Sequence, residues 1–164
     1  MAKKTEHKIL IYGYGNPGRQ DDGLGNSFVD KLEKWVDEKK LKGYEFDSNY
    51  QLNIEDAAAV AENELVIFVD ASTEEIENFI LTPVDASTNV AFTSHAASPG
   101  YIVSLCREIY NKIPATYLLH IKGYEWAFKD GLSNKAMENM ENALVYLKQK
   151  LEDSESMIDS FKDF

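Results

Sequence analysis

Helical and extended periodicity alternate along this chain, and that order points to an α/β protein. The expected architecture is a three-layer α/β/α sandwich around a twisted, mostly parallel sheet of about five strands. Two features carry the expectation. Leu65 to Asp70 (LVIFVD) is apolar up to its closing acid, the signature of a central strand covered on both faces. The first apolar run, Lys8 to Tyr14 (KILIYGY), leads straight into a glycine-rich loop, Gly15 to Gly25 (GNPGRQDDGLG). Open parallel sheets place their sites beyond the carboxyl ends of strands, where the strand order reverses.

Each element has a local reason. After the loop, Asn26 to Leu41 carries Phe28, Val29, Leu32, Trp35 and Val36 at the spacing of one helical face, and Gly43 is placed to end that helix. Tyr44 to Ser48 reads as a second strand, and Ile54 to Glu62 as a short alanine-rich helix. A weaker strand spans Asn78 to Val84, stopped near Pro83. Val90 to Ser98 reads as loop. Pro99 opens a helix to Asn111, in the first turn where its missing N–H is harmless. Tyr117 to Gly123 is a further strand, and Ser133 caps a last helix running to Leu151. The reading is one α/β domain over 1–151 and an acidic C-terminal tail, 152–164, frayed or docked as a small segment.

With 164 residues, the chain is one domain's worth, large enough to bury a core without disulfides or a structural metal. The single cysteine, Cys106, excludes an internal disulfide and a four-cysteine metal site. The 17 Lys and Arg against 28 Asp and Glu give a net charge of −11. That balance argues against nucleic acid and against an anionic membrane surface as partners. No transmembrane helix and no signal peptide are expected, which makes the cytoplasm the default location.

Gly13, Gly15 and Gly18 fit G-x-G-x-x-G directly after a strand, the pattern of a dinucleotide site. The continuation opposes that use. Asp21 and Asp22 would face the phosphates, two more glycines would fall in the required helix, and Asp47 is too distant for the ribose acid. The stretch also resembles peptidyl-tRNA hydrolase, but only as far as Gly18. Three other residues suggest different chemistry. Asp22 follows the first strand, Asp70 closes the central one, and His95 precedes the Pro99 helix. In a parallel sheet all three reach the same edge. Two carboxylates and an imidazole suit zinc, nickel or iron, and three protein ligands leave positions open for substrate or water. Each also has a plainer reading: Asp21, Asp22 and Asp70 as caps or turn residues, and His95 as a polar loop residue.

In combination, Gly13-x-Gly15-Asn16 with Asp21-Asp22-Gly23-x-Gly25, then Val69-Asp70-Ala71-Ser72, then Ser94-His95-x-x-Ser98-Pro99, resembles the hydrogenase maturation endopeptidases. Gln51-Leu52, followed by Glu55 and a helix, is similar to one subgroup of them. The resemblance runs from about Lys8 to Leu151. It implies a twisted, mainly parallel sheet between helix layers, and removal of a C-terminal peptide from the precursor of a [NiFe]-hydrogenase large subunit. It also implies that Asp22, Asp70 and His95 bind nickel, carried by the substrate and not held as a permanent cofactor; another divalent cation can take its place in the isolated protein. Asp21 is then a loop-shaping residue, with a role as general base left open between Asp21 and Asp22. The implied partner is the large-subunit precursor, recognised by a monomer. Cys106 reads as a buried inert thiol, and His7 and His120 as surface or structural residues. The competing functions are a nucleotide-binding module and a non-catalytic metal-sensing partner of a nickel enzyme.

Overall fold

The computed structural model describes residues 8–86, 97–152 and 158. His7, Ser94 and His95 lie outside the described residues. So does all of the tail except Glu152 and Ile158; Ile158 is buried in the core.

Five strands form one sheet: β1 (Ile9–Tyr14), β2 (Tyr44–Asn49), β3 (Leu65–Ser72), β4 (Phe79–Pro83) and β5 (Ala115–Lys122). Their order is β2-β1-β3-β5-β4. β2, β1, β3 and β5 run parallel, and β4 is an antiparallel edge. The helices are α1 (Leu24–Lys39), α2 (Asp56–Ala61), α3 (Pro99–Tyr110) and α4 (Asn134–Lys148). Strand alternation sorts the core into two layers. Ile9 and Ile11 of β1 join Ile67 of β3, Phe28 and Leu32 of α1, and Met140 and Leu144 of α4 on one face. Leu10, Tyr12 and Phe68 meet Ala57 and Val60 of α2 and Ile102 and Cys106 of α3 on the other. Each such side chain, fully buried, contributes roughly 1.5–3 kcal/mol of transfer free energy. The sandwich read from the sequence is the observed fold. Among the described residues, no helix is long and apolar enough to cross a membrane.

Several boundaries differ from expectation for local reasons. α1 starts two residues early, because a 3-10 turn, Gln20–Gly23, runs directly into it. It ends at Lys39 with Lys40 in the left-handed region (φ 55°), before Gly43. Gly43 (φ 92°) instead turns the chain into β2, and its carbonyl accepts the Ile9 amide at 2.8 Å. α4 stops at Lys148, although Leu151 remains buried.

β3 continues past Asp70 to Ser72. Its pairing with β1 stops at Val69, while its pairing with β5 continues through Ser72. β1 connects to β2 on one side and the chain returns through β3 on the other. The strand order therefore reverses between β1 and β3, the switch point beyond whose carboxyl ends open parallel sheets bind their ligands.

A candidate active site at the carboxyl ends of β1 and β3

Asp70 sits where β3 loses its β1 neighbour, half-buried and two residues beyond Phe68. Strand alternation puts it on the α2–α3 side of the sheet, the side onto which Tyr14 packs. The Tyr14 hydroxyl hydrogen-bonds the Asp70 carboxyl, and the Tyr14 ring meets Phe68 edge-on at 6.4 Å. Burial, and then the charge of Asp22, push the Asp70 carboxyl up to about 7; the Ala71 amide and the Tyr14 hydroxyl pull the other way. Burial, then Asp70 itself, raises the Tyr14 phenol. Tyr14 was not singled out in the sequence. Its signal was its strand period, since Tyr12 and Tyr14 share the face that Asp70 must also occupy.

Asp22 comes from the 3-10 turn. One of its oxygens, Oδ2, accepts the Asn16 amide at 3.0 Å, and the residue is half-buried. The glycines let this turn approach β1 and β3. A Cβ on Gly15 (φ 148°) would fall on the Asp22 carbonyl, and one on Gly25 would fall on the carbonyl of Val69. The glycine-rich loop is thus filled by close backbone packing. The Gly13, Gly15 and Gly18 pattern builds no helix N-terminus open to a pyrophosphate, because Gly25 lies buried in the first turn of α1 against β3.

Asp21, the neighbour of Asp22, points elsewhere and is fully buried. Its Oδ2 accepts the amides of Tyr124 (2.8 Å) and Glu125 (3.0 Å) and the hydroxyl of Ser133 (2.7 Å). Its Oδ1 accepts the Ser133 amide at 2.7 Å. Burial alone would raise this carboxyl, but those bonds outweigh it and hold the group below its ordinary value. It accepts four protein hydrogen bonds and is fully buried, so it is not placed to take a proton from water.

The remaining candidates have structural partners. His120 is the register partner of Asp70 on β5, and its Nε2 lies 2.9 Å from the Thr82 hydroxyl; burial lowers its pKa. The Cys106 thiol is buried, donates to the Ala57 carbonyl at 3.4 Å, and is pushed up to about 11 by burial. The described residues thus bring Asp22 and Asp70 together and set Asp21 apart. Among them, no group of three His, Cys, Asp or Glu side chains is arranged to hold a metal ion. What is present is a carboxylate pair, one member of which is raised by burial and then by the charge of the other, with no lysine or arginine among the described residues paired to either. That donor set suits a divalent cation and leaves room for a third ligand.

This fold is the one found in solved structures of hydrogenase maturation proteases. The [NiFe] hydrogenase maturation protease HycI from Thermococcus kodakarensis superimposes with a TM-score of 0.71 at 19% identity, covering 91% of this chain and 95% of that one. The maturating endopeptidase HybD from E. coli gives 0.68 at 19%, covering 85% and 89%. The hydrogenase 2 maturation peptidase from Thaumarchaeota archaeon SCGC_AB-539-E09 gives 0.62 at 20%, covering 88% and 97%. No family model and no curated protein matches the chain. At these identities the likeness is one of fold, and the chemistry must be argued from the site.

Proposed function

We propose that this protein is a hydrogenase maturation endopeptidase, which removes a C-terminal peptide from the precursor of a [NiFe]-hydrogenase large subunit. The observation that carries the reading is the Asp22–Asp70 pair, set at the switch point of a fold shared along nearly its full length with such proteases. Asp22, Asp70 and His95 are assigned to the nickel ion that the precursor brings as part of the substrate. Nickel supplies Lewis acidity and a fixed point from which the chain to be cut is positioned.

The protein's own residues orient and exclude. Tyr14 and the Ala71 amide hold the Asp70 carboxyl, and the Asn16 amide holds one oxygen of Asp22. The attacking group is water. The Cys106 thiol of α3 is buried against α2, and the Ser72 hydroxyl accepts the Glu74 amide. The partner is the precursor and the enzyme acts as a monomer in the cytoplasm.

The test is mass spectrometry of a nickel-loaded large-subunit precursor before and after incubation with the protein. Loss of a C-terminal peptide is expected with the wild type only when nickel is present. Asp22→Asn, Asp70→Asn and His95→Ala should stay folded and lose at least a hundredfold in rate. Full activity in any of the three removes that residue from the site. Metal-dependent association without cleavage would leave a non-catalytic partner of a nickel enzyme as the function.

A further inference from the structure

We infer that Asp21 is a positioning residue, which clamps the turn carrying Asp22 to the segment between β5 and α4 and thereby sets Asp22 opposite Asp70. The inference rests on the functional reading above for the importance of Asp22, and on geometry alone for the clamp. Four hydrogen bonds from Tyr124, Glu125 and Ser133 converge on the Asp21 carboxylate. The Asp21 amide in turn donates to the Glu125 carbonyl at 3.0 Å.

The residues before it are tied to the same segment. The Gln20 amide donates to the Lys129 carbonyl at 3.0 Å, its side-chain oxygen accepts the Ala127 amide at 3.1 Å, and the Arg19 Nε donates to the Trp126 carbonyl at 3.0 Å. Gln20 is held at φ 46°, a strained backbone for a residue with a Cβ, so the turn depends on these outside contacts to persist. A Cβ on Gly123 would meet the Asp21 Cβ at 2.9 Å, so the end of β5 is pressed directly against the turn. Asp21 touches no reacting atom. It acts through Asp22, its chain neighbour, whose carboxylate accepts the Asn16 amide within the loop.

The structure also ranks the substitutions. Three of the four bonds meet at Oδ2 and one at Oδ1. Asp21→Asn, with its oxygen in the Oδ2 place, keeps three acceptor bonds and sets its NH2 against the Ser133 amide. Asp21→Ala loses all four. Val36→Ala, in a buried position near the far end of α1, serves as a control of lowered stability.

On nickel-loaded precursor, Asp21→Ala should lose at least tenfold in kcat with KM unchanged. Asp21→Asn should lose less, and Val36→Ala should lose nothing at a temperature where all three are folded. A kcat loss in Asp21→Ala no greater than in Val36→Ala would overturn the inference. A second readout needs no substrate. Hydrogen exchange of the Asn16 amide, which reports its bond to Asp22, should be at least tenfold faster in Asp21→Ala than in Val36→Ala. Equal protection would overturn the clamp. If the wild type cleaves nothing, the functional reading fails while the exchange measurement still decides the positioning role.

Discussion

Two aspartates of one sheet edge, Asp21 and Asp70, are given opposite environments. Asp21 is saturated with donors and held below its ordinary value, and Asp70 is held above its own. The signs of their contributions to stability are therefore opposite. The folded Asp70 carboxyl titrates at about 7 against an ordinary 3.8, so the folded state binds more protons between those values and loses stability as the pH rises through them. Asp70→Asn in the metal-free protein removes that cost. It should raise Tm by several degrees near pH 8, with the gain vanishing below about pH 4. No gain at pH 8 would mean that Asp70 is not destabilised by burial and Asp22. Asp21 stabilises the fold above its ordinary value of 3.8, and that stabilisation is lost as the pH falls through its lower folded value. Ser133→Ala removes one of its donors and the cap of α4, for a cost of about 1–2 kcal/mol near neutral pH. Urea titrations should show that cost shrinking in strong acid; an equal cost at both would detach the serine from the charge of Asp21.

The first turn of α1 is where local sequence and packing meet. Gly25 is a poor helix residue, and its place in a buried first turn makes sense only because the helix lies directly on the Val69 carbonyl. Gly13 faces the same contact from β1, since a Cβ there would strike the Gly25 carbonyl. Gly25→Ala should cost about 1–3 kcal/mol by urea unfolding, because neither neighbour is a flexible side chain that can yield. A neutral result would show that α1 is free to move off the sheet. Such a shift would also displace Asp22, so this variant should lose activity along with stability. Gly13 appears in the sequence as part of a nucleotide-binding pattern, and its use in close packing is not visible there, because the same residue type answers both needs.

At the scale of the assembled protein, the charge of −11 favours a partner with a basic face. Association with the precursor should weaken several-fold as salt rises from low to physiological concentration, measured by calorimetry or light scattering. Salt-independent binding would show that charge does not steer the encounter. The core is continuous enough that Cys106, buried between α2 and α3, reports its integrity. Alkylation of that thiol should track global unfolding, and rapid labelling of the native protein would mean that the α2–α3 layer opens locally.

Strand and helix order, the central position of β3, the capping role of Ser133 and the two-layer core follow from periodicity and composition, because burial on a regular element repeats at a fixed spacing. Asp22 and Asp70 could be marked as candidates, because the carboxyl ends of parallel strands converge. Two things came only with the packed chain. The Tyr14–Asp70 contact and the raised carboxyl depend on how deeply β1 and β3 are buried where they part. The division of labour between Asp21 and Asp22 depends on donors from Tyr124, Glu125 and Ser133, about a hundred residues away in the chain. In both cases the deciding partner is distant along the chain, and no local pattern encodes it.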